Sequence, residues 1–159
     1  MKLKPNGLPV GIRYGWWGSS IYDTMKYDRL GEPVSEGQVT TVEGRIQVCA
    51  NGLHASNLSN PLAYPFSYNV RQDATIYLVG IWGDKDSEFP YDWKFCGRHR
   101  LYIKGLLPSE LLYKLIHKIS KKEVMIKLKE KGFPIYQTIL GKWKVDEDKV
   151  PRTLEEIAA

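Results

Sequence analysis

Residues 74–82 constrain the fold more than any other part of this chain. They read Ala-Thr-Ile-Tyr-Leu-Val-Gly-Ile-Trp, β-branched and aromatic almost throughout. The run has no polar alternation after Thr75, so it is not a half-exposed strand. It is also far short of the roughly 20 apolar residues that span a bilayer. It predicts a central strand covered on both faces, with the rest of the chain supplying the covers.

The remaining strand signals surround it. Ile12-Arg13-Tyr14-Gly15-Trp16-Trp17 reads as a strand ending in a turn at Gly18-Ser19-Ser20. Val39 to Val42 and Arg45 to Cys49 read as the arms of a hairpin about Glu43-Gly44. Ala50-Asn51-Gly52 then breaks the strand, and Asn60-Pro61 opens a short helix through Leu62, Ala63 and Tyr64. Residues 83–93 are polar and turn-rich, and 99–104 form another strand.

The last third changes character. Ser109 caps a helix whose Leu111, Leu112, Leu115, Ile116 and Ile119 form one apolar stripe. Ser120 and Glu123 make a capping box for a second helix over 121–131, and Gly132 stops it. Past Lys144 the chain is charged. The expectation is a single α+β domain over 1–159, with a β-rich core at about 10–105. A basic helical segment at about 106–145 and a charged tail at 146–159 follow.

At 159 residues and 43% hydrophobic content the chain can bury a core without disulfides. Met1 to Gly7 is basic with no apolar core behind it, which predicts no secretion signal, a cytoplasmic setting and no membrane partner. Cys49 and Cys96 would stay reduced there. The net charge is +5, and residues 104–131, with eight lysines against three glutamates, hold the whole excess. A lysine-rich helix pair is most often a solvated face. With Tyr91, Trp93 and Tyr102 it could instead hold a single-stranded nucleic acid or a host protein, through the segment that runs from Lys114 to Lys131.

Chemistry concentrates in Cys49-Ala50-Asn51-Gly52-Leu53-His54-Ala55-Ser56. A glycine between strand and helix lets backbone approach a ligand, and strand-end loops are frequent sites. The bland alternative is a buried turn whose His54 bonds its neighbours. Cys49, His54, Cys96 and His99 would close a tetrahedral zinc shell only if two loops met. Their spacing matches no common finger, so no metal site is assigned. Asp84, Asp86 and Glu88 lack the glycine and terminal glutamate of a Ca²⁺ loop. There is no nucleophile elbow, P-loop or dinucleotide glycine fingerprint.

Two resemblances follow from these residues. Cys49, Gly52, Leu53, His54, Ala55 and Ser56, then Pro61, Leu62 and Tyr64, then the 75–82 strand and Arg100, resemble the shared core of a group of phage and bacterial proteins. That group carries no established function to transfer. Gly52 to Ser56, Ser59 to Tyr64 and Ile76 to Gly80 are also similar in order and spacing to the poly(ADP-ribose) polymerase branch of the ADP-ribosyltransferases. This second resemblance implies an ADP-ribosyltransferase-like core binding NAD or a related nucleotide. Gly52, His54, Ser56 and Tyr64 would line the crevice, His54 and Arg100 would be the catalytic candidates, and Arg100 would contact phosphate. The chain departs from the family where a glutamate is expected, since His99-Arg100-Leu101-Tyr102-Ile103 has none, and it lacks the first-strand histidine motif near Tyr14 to Trp17. A polymerase mechanism is therefore not implied. Transfer of a single ADP-ribose, or a crevice that kept binding and lost catalysis, remains.

Overall fold

The computed structural model describes residues 2–20, 35–61, 74–87, 94–107, 110 and 117–151. Seven strands and one α-helix lie among them: β1 (Arg13–Ser20), β2 (Val39–Thr41), β3 (Leu53–Asn57), β4 (Ala74–Ser87), β5 (Lys94–Leu106), α1 (Lys121–Glu130), β6 (Ile135–Gln137) and β7 (Trp143–Val145). A 3₁₀ turn, Glu147–Lys149, follows.

The 74–82 run is the central strand, and it extends to Ser87. β4 pairs with β1 on one edge and with β5 on the other. β5 pairs with β3, and β3 pairs back with β1. These antiparallel pairings close a ring, β5–β3–β1–β4–β5, with β2 added to β5 beyond β3. Register shifts at Leu78/Val79 and between Trp82 and Lys85 let β4 bend far enough to close it. A closed sheet leaves few open edges.

Closure explains why β4 reads as apolar on both faces. Inside the ring lie Trp17, Ala55, Tyr77, Val79, Ile81, Phe95 and Tyr102. So narrow a ring leaves little room for side chains, and a Cβ at Gly97 would collide with Ile81. Outside, Trp16, Ile76, Leu78, Leu101 and Ile103 pack under Val124, Met125, Leu128, Phe133, Ile135 and Val145 from the C-terminal part. Leu8 from the N-terminal part joins them.

α1 forms as the capping box predicts: Ser120 accepts from the Glu123 amide, and Gly132 follows the helix at φ 91°. It buries Val124, Met125 and Leu128 and exposes Lys121, Lys122, Lys127 and Lys129.

Several expectations are corrected. The expected fold class, α+β with an ADP-ribosyltransferase-like core and a helical C-terminal segment, is corrected in its last part: the described residues are β-rich, loosely compatible with α+β, and form no helical C-terminal segment. Past residue 106 the described residues contain one α-helix, then the β6–β7 hairpin. The β-branched and aromatic content of residues 135–145 drives that hairpin, and Gly141 at φ 83° closes its turn. The 39–49 hairpin does not form, because β2 pairs with residues 99–101 of β5 instead. Residues 53–57 are a strand rather than a loop, since Leu53, Ala55 and Ser56 fit a slot between β1 and β5. The Ser109-capped stripe and the helix through Tyr64 fall outside the described residues. No helix among the described residues is long and apolar enough to cross a membrane.

Candidate functional site

β3 carries the sequence cluster and buries it. Gly52, Leu53, His54, Ala55 and Ser56 are all buried, and His54 has no exposed surface. His54 Nε2 accepts the Cys49 amide at 2.9 Å. Nδ1 must then carry the proton, and it donates to the Gly52 carbonyl at 3.0 Å. Burial pushes the His54 pKa down to about 4, with Arg100 and Lys94 adding to the shift, while the Gly52 carbonyl and Asp86 oppose it. A neutral imidazole is what this pair of bonds requires.

The bonds clasp a loop in an unusual conformation. Cys49 has φ 65° and Gly52 φ 150°. Asp86 accepts the Val48 amide at 2.7 Å, and the Asn51 side chain donates to the Glu43 and Arg45 carbonyls. A side chain at Gly52 would press on Cys96. Ser56 Oγ donates to the Trp16 and Asn60 carbonyls at 3.4 and 3.3 Å.

Arg100 reaches the same region from inside the ring and is fully buried. It donates from Nη1 to the His54 carbonyl at 3.0 Å and from Nε and Nη2 to the Tyr102 hydroxyl at 3.1 and 2.5 Å. Its guanidinium lies 4.7 Å from the Trp17 ring centroid. No carboxylate among the described residues pairs with it. π faces and two oxygens hold this cation, and it ties β5 to β3.

The structure therefore brings Gly52, His54, Ser56 and Arg100 together, and packs them. None of the four lines either of the two cavities described below. Tyr64, the fifth predicted residue, is outside the described residues. The zinc alternative loses its geometry: both His54 nitrogens are engaged, and His99 bonds Thr41 Oγ1 at 2.8 Å and stacks on Trp82. Among the described residues no group of three or more His, Cys, Asp or Glu is arranged to hold a metal.

Two cavities bordered by described residues lie elsewhere. A cleft of about 700 Å³ separates the start of β1 and Lys85 of β4 from the C-terminal hairpin and 3₁₀ turn. Ile12, Arg13, Tyr14 and Leu58 form one wall with Lys85, and Tyr136, Trp143, Lys144 and residues 145–148 form the other. A recess of about 160 Å³ shares Arg13 and Lys85 with it and adds Asp86, Ser87 and Phe95.

Hydrogen bonds fix the geometry of the cleft. Glu147 accepts Lys4 at 2.8 Å, Asn6 at 3.3 Å and the Tyr14 hydroxyl at 3.3 Å. Burial would raise the Glu147 pKa, but those donors bring it below its ordinary value. The Tyr14 hydroxyl is pushed far upward by burial and then by Glu147, so it stays protonated and donates. The Arg13 guanidinium lies over Phe95 at 3.9 Å, and Lys85 donates to the Gly11 carbonyl. Partial burial and the charge of Arg13 lower the Lys85 pKa. Glu147 is thus engaged from across the cleft by Tyr14 and from the N-terminal part by Lys4 and Asn6, and Asp146 pairs with Lys149. Arg13, Lys85 and Lys144 face Asp146, Glu147 and Asp148 in a lining of mixed charge beside the rings of Trp143 and Tyr136.

Sequence reasoning did not single out Arg13, Lys85, Trp143 or Lys144 as site residues. The one local signal was Trp143 flanked by Lys142 and Lys144. Comparison of the chain with protein-family models, with curated proteins and with solved structures gives no match.

Proposed function

We propose that this chain binds a small anionic ligand of the nucleotide class in the cleft between β1, β4 and the C-terminal hairpin. One observation carries the reading: Arg13, Lys85, Lys144 and the rings of Trp143 and Tyr136 line one open cleft of about 700 Å³, in which two of the three lining carboxylates, Glu147 and Asp146, are paired with Lys4 and Lys149. That volume falls within the roughly 300–1,000 Å³ usual for small-molecule sites. Arg13 and Lys85 suit phosphate oxygens, since guanidinium and ammonium donors form charge-assisted hydrogen bonds. Trp143 and Tyr136 suit the flat face of a base. The resemblance to ADP-ribosyltransferases puts NAD and ADP-ribose first among the ligands to try. The reading differs from the sequence expectation in location: the crevice moves from His54 to the cleft, and His54 and Arg100 hold the scaffold.

The test is calorimetric titration of NAD, ADP-ribose and AMP into the parent chain, Arg13→Gln, Trp143→Ala and His54→Gln. Binding should weaken about tenfold or more in Arg13→Gln and Trp143→Ala, from loss of a charge-assisted bond or a ring contact. It should persist in folded His54→Gln. Binding that disappears in His54→Gln and survives both cleft changes would return the site to β3. A second reading, nucleic-acid binding, is favoured by one observation: α1 exposes Lys121, Lys122, Lys127 and Lys129 to solvent. Short RNA or DNA titrated at low salt tests it, because phosphate contacts by lysine fade as salt rises.

A further inference from the structure

The turn between β6 and β7 presents two branched aliphatic side chains to solvent. Ile139 and Leu140 are exposed at 105% and 86% of their full surface, the highest among the exposed large apolar residues. The turn holds them there firmly. Thr138 donates its amide to the Lys142 carbonyl at 2.8 Å, and Gly141 donates back to the Thr138 carbonyl at 2.9 Å. Thr138 Oγ1 accepts the Lys142 amide at 3.1 Å, and the Gln137 side chain donates to the Gly141 carbonyl at 3.1 Å. Reversal of the chain needs no aliphatic residues; turns are ordinarily made with polar ones. An apolar apex on a fixed turn marks a surface that meets an apolar medium.

Charge and aromatic placement narrow the medium. Residues 132–145 contain Lys142 and Lys144 and no carboxylate. Lys142 and Lys144 are exposed, and half-buried Trp143 lies between them. Tyr136, 40% exposed, pairs across the hairpin with Lys144. The order from the apex downward is aliphatic, then cationic and aromatic. It matches the order met on entering a bilayer from its acyl boundary outward, through anionic phosphates and the headgroup level where Trp and Tyr collect. A nucleic acid would engage the lysines and leave the aliphatic pair in water.

We propose that the β6–β7 apex docks on an anionic lipid surface. Ile139 and Leu140 enter the headgroup–acyl boundary, and Lys142 and Lys144 engage lipid phosphates. The sequence expectation of no membrane partner rested on the absence of a spanning segment, and a peripheral contact needs none. With two aliphatic side chains inserted, the contact is weak and reversible. It shares Tyr136, Trp143 and Lys144 with the ligand cleft, so its test uses Ile139, Leu140 and Lys142, which do not line that cleft.

The experiment is co-sedimentation of the full chain with vesicles of phosphatidylcholine alone and of phosphatidylcholine mixed with phosphatidylserine. The variants are Ile139→Ser/Leu140→Ser and Lys142→Gln. The parent should bind the phosphatidylserine vesicles and not the others. Both variants should keep the parent melting temperature, and the double serine variant should bind roughly tenfold more weakly, from the lost apolar transfer. Lys142→Gln should lose a smaller share of the binding. Absence of parent binding to phosphatidylserine vesicles would overturn the proposal. Undiminished binding of the double serine variant would also overturn it and assign the attraction to the lysines of α1.

Discussion

The His54 clasp and the Arg13–Trp143 cleft lie in the same molecule and are built on opposite terms. In the clasp every polar group faces another part of the chain: imidazole to the Cys49 amide and Gly52 carbonyl, guanidinium to the Tyr102 hydroxyl and His54 carbonyl. The His54 and Arg100 side chains are closed off from solvent, although the Cys49 loop they help hold is exposed. In the cleft, Glu147 alone gathers Lys4, Asn6 and Tyr14, and Arg13, Lys85 and Lys144 line open space. The difference teaches that a dense run of chemically versatile residues can spend its polar groups on hydrogen bonds within the chain. Polar groups satisfied internally in a buried place rigidify; polar groups at the edge of a cavity can exchange partners with a ligand.

The comparison breaks if clasp substitutions alter binding more than stability. The largest effect is expected for Arg100→Ala, which removes a fully buried side chain and strips the donors from the Tyr102 hydroxyl and His54 carbonyl. Urea unfolding should show a loss of about 3–5 kcal/mol. Arg100→Met, which keeps volume without burying charge, should lose clearly less. Equal losses would mean that the charge itself, rather than filled space, holds β3 to β5.

The clasp also sets a pH dependence. The His54 pKa falls from its ordinary 6.5 in the unfolded chain to about 4 in the folded one. As pH drops below 6.5 the unfolded chain takes up the proton first. The contribution, full above 6.5, is therefore lost progressively until pH reaches about 4. At about 1.36 kcal/mol per pKa unit, the loss is of order 3 kcal/mol. His99, lowered by burial and by Arg98, adds slope in the same direction. His54→Gln should flatten the acid limb of stability against pH, leaving the His99 share. A limb unchanged in that variant would mean that other groups control acid unfolding.

In the cleft the expectation reverses. Trp143→Ala should weaken nucleotide binding about tenfold, near 1.4 kcal/mol, while unfolding by urea moves less than it does for Arg100→Ala. The smallest effect is expected for Lys4→Ala. Its ion pair with Glu147 is about a third exposed on each side, so its loss should cost roughly 0–1 kcal/mol. Calorimetry on this variant sharpens the picture, because it frees Glu147 to repel an anion and should weaken binding more than it weakens the fold.

The sequence shows its local devices directly. The Ser120–Glu123 cap, the Gly132 stop and the apolar 74–82 run each depend on neighbours within a few residues, and each appears as read. The expectations that the structure corrects at β2 and β3 depended on distant pairing. Val39 to Thr41 could pair with residues just after them or with β5, and only the assembled ring favours β5. Leu53 to Asn57 reads as a loop after glycine until β1 and β5 are present to flank it. The cleft was hidden for the same reason: Arg13, Lys85 and Trp143 are separated by 72 and 58 positions and meet only through packing.

What the sequence determined by itself is therefore a central strand buried on both faces, one capped, lysine-rich helix, and a surplus of positive charge. These follow from side-chain period, capping chemistry and composition, which act over short distances along the chain. Only the tertiary structure decided that the sheet closes, that His54 and Arg100 are fully buried, and that cations from β1, β4 and β7 border one cleft. Burial and cavities are properties of surfaces brought together from remote positions, and a polar group closed over by such a surface must find its partners within the chain.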